Sequence, residues 1–134
     1  MNRCAQLSLG LALAGTLAAL APAPAAAQTV QRNFPQTALR GKIVFGTPPV
    51  ITINGNVAHM ATGYRIHGLN NLLVMSAQLI GNSFVVDYTV DLQDQVYEVW
   101  LLSAAEAANK PWPGTKAEAA AWAFDPIAQT WTKP

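Results

Sequence analysis

The sequence predicts a mainly β domain, a small antiparallel β-barrel or sandwich, with two short C-terminal α-helices. Between Leu39 and Leu102, short runs of β-branched and aromatic residues are separated by Gly, Asn and Pro, a pattern typical of strands joined by tight turns. The chain then changes character. Two Ala-rich segments each begin with a Ser or Thr followed three positions later by Glu, which is the capping-box start of a helix.

A signal peptide is predicted before this domain. Arg3 precedes an apolar run from Leu7 to Leu20, and the segment ends in Ala25-Ala26-Ala27, an A-x-A cleavage site. The apolar run is shorter than the roughly 20 residues that a transmembrane helix needs to cross a bilayer. We therefore expect residues 1–27 to be a Sec-type signal peptide cleaved after Ala27, and the product to be periplasmic or secreted.

Cleavage after Ala27 would define the composition of the exported chain. It leaves 107 residues (134 minus 27), enough for one core. It removes Cys4, the single cysteine, so we expect no disulfide, no thiol catalysis and no cysteine-ligated metal. It also removes Arg3, one of eight basic residues, so that seven basic residues balance seven acidic ones. A chain without net charge has no general attraction for nucleic acid, and its low charge favours contact with a partner.

The exported chain divides into a polar extended leader, residues 28–38, and a single β domain, residues 39–134, whose last part, residues 103–134, is helical. Asn54-Gly55 and Gly81-Asn82 supply the residues with positive φ that hairpin turns require. Seven strands are predicted, at residues 39–45, 50–53, 57–60, 64–67, 72–80, 84–90 and 96–102.

Alternation with a period of two assigns the faces of these strands. In the strand at 84–90, Val86 and Tyr88 share an apolar face that we assign to the core, and Asp87 lies on the opposite face. In the strand at 72–80, the same rule places four side chains in the core: Leu73, Met75, Ala77 and Leu79.

The two predicted helices begin at the capping residues Ser103 and Thr115 and end before Pro111 and Pro126. Four aromatic residues accompany them, and we expect these rings to cover the last strand at Tyr97, Trp100 or Leu102: Trp112, Trp122, Phe124 and Trp131. Two of the indoles, Trp112 and Trp131, have a second interpretation, as exposed rings that dock a glycan, a peptide or a proline-rich partner.

His59, Arg65 and His67 form the charged binding site that the sequence predicts. A hairpin turning at Ala61-Thr62-Gly63 would pair His59 with Arg65 and place all three side chains on one face. Two imidazoles beside a guanidinium would bind a small anion or a carboxylate, more tightly as the histidines protonate. The alternative interpretation is a solvated strand face. A metal site is not predicted, because Arg65 repels a cation and no third ligand is near in sequence.

Asp87 and Glu98 provide an alternative, enzymatic interpretation. They lie on strands joined by the polar reversal at residues 91–95 and could approach each other as the paired carboxylates of a small hydrolase. Carboxylates on neighbouring strands more often keep a sheet edge soluble. The sequence contains no G-x-S-x-G or G-x-G-x-x-G motif. We therefore predict a non-catalytic protein without a cofactor or metal, with the hydrolase-like enzyme as the alternative.

Two resemblances add to this interpretation. The order of glycines and apolar residues around Leu39-Arg40-Gly41, Asn54-Gly55 and Gly81 resembles that of small OB-like or SH3-like barrels. More closely, the segments ALRG, ITING, NNLLVMS, EVWLL, KPWP and FDPIAQTW resemble a family of small uncharacterised secreted proteins of Gram-negative bacteria. The first resemblance implies an OB-like barrel, and the second implies export. Together with the low charge, they predict a binding or interaction module of the cell envelope whose partner is a protein, a peptide or a small anionic ligand.

Overall fold

A computed structural model describes residues 31–134. The predicted signal peptide, its cleavage site after Ala27 and the first three residues of the leader lie outside the described residues. The strands are β1 (Leu39–Phe45), β2 (Val50–Ile53), β3 (Asn56–His67), β4 (Ser83–Val90), β5 (Val96–Leu101), β6 (Ala123–Asp125) and β7 (Thr130–Thr132). The α-helices are α1 (Ala104–Ala108) and α2 (Lys116–Ala121), and a 3₁₀ helix spans Ser76–Leu79.

Strands β1 to β5 form a closed barrel in the order β1-β2-β3-β5-β4, in which β4 pairs back to β1. The predicted mainly β class and the barrel are therefore confirmed. Four of the strand pairs are antiparallel, but β3 and β5 are parallel. The predicted antiparallel pairing therefore holds for all but one pair, and the exception has a topological reason, since a closed ring with an odd number of strands cannot alternate direction at every pair.

Alternate side chains of the barrel strands fill the barrel interior. The inward positions predicted on β4 are confirmed, because Val86 and Tyr88 are buried. Seven apolar side chains from the five strands are completely or almost completely buried: Ile43, Phe45, Ile51, Ile66, Val86, Val96 and Val99. Each such side chain stabilises the fold by about 1.5–3 kcal/mol relative to an exposed position. The barrel is thus closed around a packed core, and ligand chemistry has to lie on its outside.

Strand β3 corrects the predicted hairpin at Ala61-Thr62-Gly63. Residues Asn56–His67 form one continuous strand, which pairs with β2 through its first part and with β5 mainly through its last part. The register of the pairing with β5 shifts between Met60 and Arg65, and Gly63 lies in this interval with φ +78°. The positive φ therefore serves a β-bulge within the barrel and not a reversal of the chain.

The predicted strand at residues 72–80 is also wrong. Part of this segment forms the 3₁₀ helix, in which Ser76 and Leu79, three positions apart, are the buried residues. Of the predicted core residues, Leu79 is buried and three are exposed: Leu73, Met75 and Ala77. A helical turn buries every third residue, so the alternation of apolar residues in the sequence does not correspond to two faces of a strand here.

The segment after the barrel begins with the predicted capping box. The Ser103 hydroxyl accepts a hydrogen bond from the Glu106 N–H, and the Glu106 carboxylate accepts one from the Ser103 N–H. Helix α2 begins after the predicted Thr115 cap but ends at Ala121, with Trp122 as the C-cap, before the predicted stop at Asp125. Strands β6 and β7 follow as a hairpin, because the Asp125 carboxylate accepts two backbone N–H groups in the turn between them. Both helices are confirmed, but they precede a C-terminal β-hairpin.

A second apolar cluster lies on the outer face of the barrel. Its buried members are Phe34, Ala38, Trp100, Trp112 and Trp131. The rings meet edge to face, with centroids 5.8 Å apart for Phe34 and Trp100 and 6.1 Å apart for Trp112 and Trp131. The C-terminal aromatic residues therefore cover Trp100 of β5 as expected, and the leader packs into the same cluster.

Candidate functional site

One row of side chains crosses the outer face of the barrel. The strand register places Arg40 of β1 opposite Asp87 of β4, Asp87 opposite Trp100 of β5, and Trp100 opposite His67 of β3. Their neighbours along each strand are buried in the barrel core, so these four side chains lie on the opposite face of the sheet. The row brings an ion pair, an indole and an imidazole together, and the partners of each group decide what it can do.

Arg40 and Asp87 form a buried ion pair. The Arg40 Nε and Nη2 atoms donate to the two Asp87 carboxylate oxygens at 2.9 and 3.2 Å, and Nη1 donates to Asn109 O at 2.5 Å. The guanidinium lies over Trp112, 4.8 Å from the ring centroid. Burial raises the pKa of the Asp87 carboxyl, and the hydrogen bond and charge of Arg40 offset that effect only in part. The pair connects the C-terminal segment to the barrel, so its polar groups are already engaged.

Arg32 forms a second buried ion pair, which no local pattern of the sequence indicates, because its partner Glu106 lies 74 residues away. Its Nε and Nη2 atoms donate to the Glu106 carboxylate at 2.9 and 2.6 Å, while Nη1 donates to Gly68 O and Nη2 to Leu101 O. Burial alone would raise the pKa of Glu106, but the hydrogen bonds from Arg32 and from the Ser103 N–H outweigh it and lower the pKa. Arg32 thereby joins the leader to α1 and to the chain leaving β3.

The lowered pKa of Glu106 predicts an acid-sensitive contribution to stability. A carboxyl with a lower pKa in the folded state stabilises the fold fully above its ordinary pKa of 4.5 and loses that contribution as the pH falls through the folded value. Glu106→Gln imitates the protonated acid, so we expect it to lower the unfolding free energy by about 2–3 kcal/mol at pH 7. Urea unfolding of both proteins should show this difference shrinking below pH 4.5.

Two features ensure that the difference between the Glu106→Gln variant and the wild type reports on Glu106 alone. Asp87 has a raised pKa and contributes with the opposite sign, but it is present in both proteins and so cancels to first order in the difference. Glu118→Gln is the matched control, because Glu118 occupies the same helix position and accepts a backbone N–H from Gly114 without an arginine partner. A difference between the Glu106→Gln variant and the wild type that is independent of pH would contradict the role assigned to Glu106.

The predicted site of His59, Arg65 and His67 is not assembled. All three lie on β3, but this strand does not fold back, so His59 lies six residues from Arg65, roughly 20 Å away at about 3.3 Å per residue. His67 stacks on Trp100 with ring centroids 5.4 Å apart, and its Nε2 atom lies 2.8 Å from Glu98 Oε1. The expected patch of two imidazoles and a guanidinium is therefore wrong, because it depended on the hairpin. Arg65 remains exposed and lines a groove.

Asp87 and Glu98, the alternative pair of catalytic carboxylates, each have their own cationic or imidazole partner. They lie on the outer face of adjacent strands, but Asp87 binds Arg40 and Glu98 contacts His67. Neither carboxylate lines the groove beside Arg65. The geometry therefore provides two separate pairs of side chains and not one carboxylate dyad in a shared pocket.

Trp112 and Trp131, the two candidate docking indoles, are buried, with 7% and 3% of their surface exposed. Trp112 Nε1 donates to Ala38 O at 3.0 Å, and Trp131 packs on Phe124 with ring centroids 4.8 Å apart. The interpretation of these residues as exposed docking rings is wrong, and their role as a cover over the barrel is the one observed. Burying an indole removes on the order of 200 Å² of its surface from water. The outer face of β5 provides the surface against which these rings pack.

Some charged side chains of the domain are paired with an opposite charge, and others are not. All seven carboxylates form a hydrogen bond within residues 31–134. By contrast, four basic side chains form no ion pair with a carboxylate among those residues: Lys42, Arg65, Lys110 and Lys133. Three carboxylates, those of Asp91, Glu118 and Asp125, also form no ion pair within these residues, because their partners are backbone N–H groups. Arg65 is one of the cations without a counter-charge, so an anionic group of a ligand can pair with it.

An exposed apolar loop lies next to Arg65. Four large apolar side chains between β3 and the 3₁₀ helix have 64–71% of their surface exposed: Leu69, Leu72, Leu73 and Met75. Single exposed apolar residues are ordinary on a soluble protein, but a group of this kind is typical of an interaction surface. We call residues 68–75 the apolar loop. The sequence did not indicate this surface, because the predicted strand at residues 72–80 assigned Leu73 and Met75 to the core.

A groove of about 400 Å³ lies between the apolar loop and β3. Leu73 and Met75 line it, together with Arg65, the charged residue of its lining. The hydroxyls of Tyr64 and Ser76, which also line the groove, are hydrogen-bonded to each other at 2.6 Å. The groove therefore offers apolar surface and one guanidinium, a combination suited to a ligand that carries an apolar group next to an anion.

The backbone of the apolar loop is held by hydrogen bonds. Gly68 N donates to Leu72 O and Val74 N donates to Ile66 O, both at 2.8 Å, and Arg32 binds Gly68 O. A Cβ atom at Gly68 would lie 2.9 Å from the Val74 side chain, so a glycine is needed at this position. A loop held in this way presents its side chains to a partner with little further ordering cost.

Comparison with known proteins identifies no relative, since no protein-family model, curated protein or solved structure matches the chain. In the part of the chain from residue 31 to 134, no helix combines the length and the apolar character that crossing a membrane requires. The function is therefore inferred from the residues of the site and not from kinship.

Proposed function

We propose that this protein is a non-catalytic binding module of the cell envelope, exported by a signal peptide that is cleaved after Ala27. We propose further that the apolar loop and Arg65 bind an apolar peptide segment that ends in, or carries, a carboxylate. The observation that supports this function is the group of exposed apolar side chains at residues 69–75, beside an arginine that pairs with no carboxylate within residues 31–134.

The barrel is proposed to be OB-like. Its five strands, their order and the parallel contact of β3 with β5 are compatible with a small Greek-key barrel of that type. Such barrels bind ligands on outer strand faces and in connecting loops. The apolar loop belongs to the connection between β3 and β4, and the packed interior leaves the outer surface for binding.

The chemistry of the groove selects the partner. Apolar side chains of a peptide would cover Leu72, Leu73 and Met75 and remove their surface from water. A carboxylate would pair with Arg65, whose planar guanidinium binds carboxylates through two parallel hydrogen bonds. Glu98 lies opposite Arg65 in the strand register, but its carboxylate contacts His67 Nε2 at 2.8 Å, and Arg65 forms no ion pair within residues 31–134.

A peptide suits this surface better than a free acyl chain does. Pockets for small apolar ligands enclose roughly 70–90% of the ligand surface. The apolar loop does not enclose its groove, because its large side chains are 64–71% exposed. The partner must therefore bring its own covering surface, as a segment of another protein does.

Peptide binding tests this proposal. The probes are fluorescein-labelled hexapeptides that end in two residues chosen from Leu, Ile and Phe, each prepared with a free C-terminal carboxylate and as a C-terminal amide. Fluorescence polarisation should detect binding of the carboxylate peptides. We expect amidation of the peptide, Arg65→Gln or Leu73→Ser each to weaken binding by about tenfold or more, since each removes an anchor of the contact.

Leu92→Ser and Lys42→Gln are the matched controls. Leu92 is an apolar residue outside the apolar loop with 98% of its surface exposed. Lys42 of β1 forms no ion pair within the described residues, so both variants should keep the wild-type affinity. Equal binding of carboxylate and amide peptides, equal effects of Leu73→Ser and Leu92→Ser, or no binding of any peptide would overturn the proposal. A dimer that Leu73→Ser dissociates, or a preference for dodecanoate over peptides, would identify a second copy or an acyl chain as the occupant instead.

A further inference from the structure

A second groove, separate from the apolar loop, lies beside the C-terminal segment. It has a volume of about 620 Å³ and is lined by residues that lead into, form and follow helix α2. Two of the four basic side chains without an ion-pair partner among residues 31–134, Lys110 and Lys133, line this groove together. They lie 23 residues apart in sequence (133 minus 110), so the fold, and not a local charge run, brings them to one place.

The charges that line this groove are positive on balance. Arg40 also lines it, but its guanidinium is held by Asp87. Glu118 is the acidic residue of the lining, and its Oε2 atom accepts a backbone N–H at 3.1 Å. The Glu118 carboxylate keeps its negative charge, so the two lysines leave the groove with one net positive charge once Arg40 is balanced by Asp87. The compact ammonium groups of Lys110 and Lys133 bind carboxylates or phosphates as point charges.

An indole accompanies the two lysines. Trp122 lines the groove and is half-buried, and the Lys133 Nζ atom lies 5.1 Å from the centroid of its ring. An anionic group that pairs with Lys133 is thereby placed beside an apolar aromatic surface. Trp122 differs in this respect from Trp131, which is buried in the second cluster. The groove combines cations with a partly exposed aromatic ring. An inorganic anion would use the cations alone, so the ring indicates a ligand that also has an apolar surface.

We propose that the groove of Lys110, Trp122 and Lys133 binds an acidic saccharide, with a sugar ring packed beside Lys133 against the exposed part of the indole and a carboxylate paired with the lysine ammonium groups. A pyranose has an apolar C–H face that can pack on an aromatic ring, and a uronic acid adds the carboxylate. The groove is open to solvent, with Lys110 and Lys133 exposed along it, so it suits a chain of sugar rings that lies along the surface and not a ligand that must be enclosed. This site is independent of the peptide site at the apolar loop.

Calorimetric titration with trigalacturonate tests the proposal. Maltotriose is the neutral trisaccharide of equal length, and inorganic phosphate is the anion without a ring. We expect trigalacturonate to bind about tenfold or more tightly than either, and to bind less tightly when the NaCl concentration is raised from about 0.05 M to about 0.3 M. Lys110→Gln and Lys133→Gln should each weaken binding about fivefold, while Lys42→Gln and Lys116→Gln should change it by less than about twofold.

Further measurements test the roles of the indole and of the lysines separately. The indole N–H resonance of Trp122 should shift in the NMR spectrum with trigalacturonate and stay unchanged with phosphate. Phosphate binding as tight as that of trigalacturonate would overturn the saccharide assignment and leave a simple anion site. Maltotriose binding as tight as that of trigalacturonate would overturn the role of the lysines, and no binding of trigalacturonate at about 10 mM, a concentration that detects even weak affinities, would overturn the proposal outright.

Discussion

Asp87→Ala should lower the unfolding free energy by about 3–5 kcal/mol, because it leaves a buried arginine without its counter-charge. The Arg40 side chain is 11% exposed and would lose both hydrogen bonds to the carboxylate. Its other contacts, with Asn109 O and the ring of Trp112, carry no full negative charge. Urea unfolding at pH 7, followed by tryptophan fluorescence, measures the loss.

A double variant separates the cost of an unpaired charge from the cost of an altered shape. Arg40→Met combined with Asp87→Leu removes both charges with apolar side chains of similar size, and we expect it to recover most of the stability lost in Asp87→Ala. The exposed pair of Lys116 and Asp94 supplies the control, since Asp94→Ala should cost less than about 1 kcal/mol. A loss for Asp87→Ala as small as that for Asp94→Ala would show that the pair is hydrated.

Trp112→Ala should cost about 3–5 kcal/mol, because the indole lies at the centre of the second cluster. Its ring contacts Phe34 and Trp131, with centroids 5.9 and 6.1 Å away, and its Nε1 atom donates to Ala38 O. The substitution would leave a cavity between the leader and the C-terminal hairpin, and a buried carbonyl without its donor. Urea unfolding measures the effect.

Trp131 offers a matched comparison for the hydrogen bond of Trp112. The Trp131 indole N–H is buried and has no partner within residues 31–134. Trp131→Phe therefore removes no hydrogen bond, whereas Trp112→Phe removes one, and we expect the second variant to be less stable than the first by about 1 kcal/mol. The reverse order of stabilities would contradict the arrangement of the cluster.

Strands β1, β2, β4 and β5 were predictable within one residue at each end, and both helices began at the predicted capping residues. These elements depend on interactions within a few residues. In β4, alternation separates Val86 and Tyr88 from Asp87, and in α1 the Ser103 and Glu106 side chains satisfy each other's backbone N–H groups. Local chemistry of this kind is present in the sequence itself.

The positions of other residues depend on contacts with residues that are distant in sequence. A glycine with positive φ serves a hairpin or a bulge equally well, so Gly63 could not distinguish a turn from the continuous strand β3. Leu73 and Met75 alternate as core residues would, but they lie in the loop before the 3₁₀ helix, outside the closed barrel, where they are exposed. The candidate site is therefore the apolar loop with Arg65, and not the predicted face of His59, Arg65 and His67.

By itself the sequence determined the β class, the outer limits of most strands and the two helix starts, because each follows from periodicity or from capping between near neighbours. The tertiary structure decided which charges are neutralised. Arg32 meets Glu106 across 74 residues and Arg40 meets Asp87 across 47, whereas Arg65, Lys110 and Lys133 meet no carboxylate within residues 31–134. Such pairings arise when the barrel closes and residues 31–38 and the C-terminal segment pack on it, and they leave these three cations without a counter-charge.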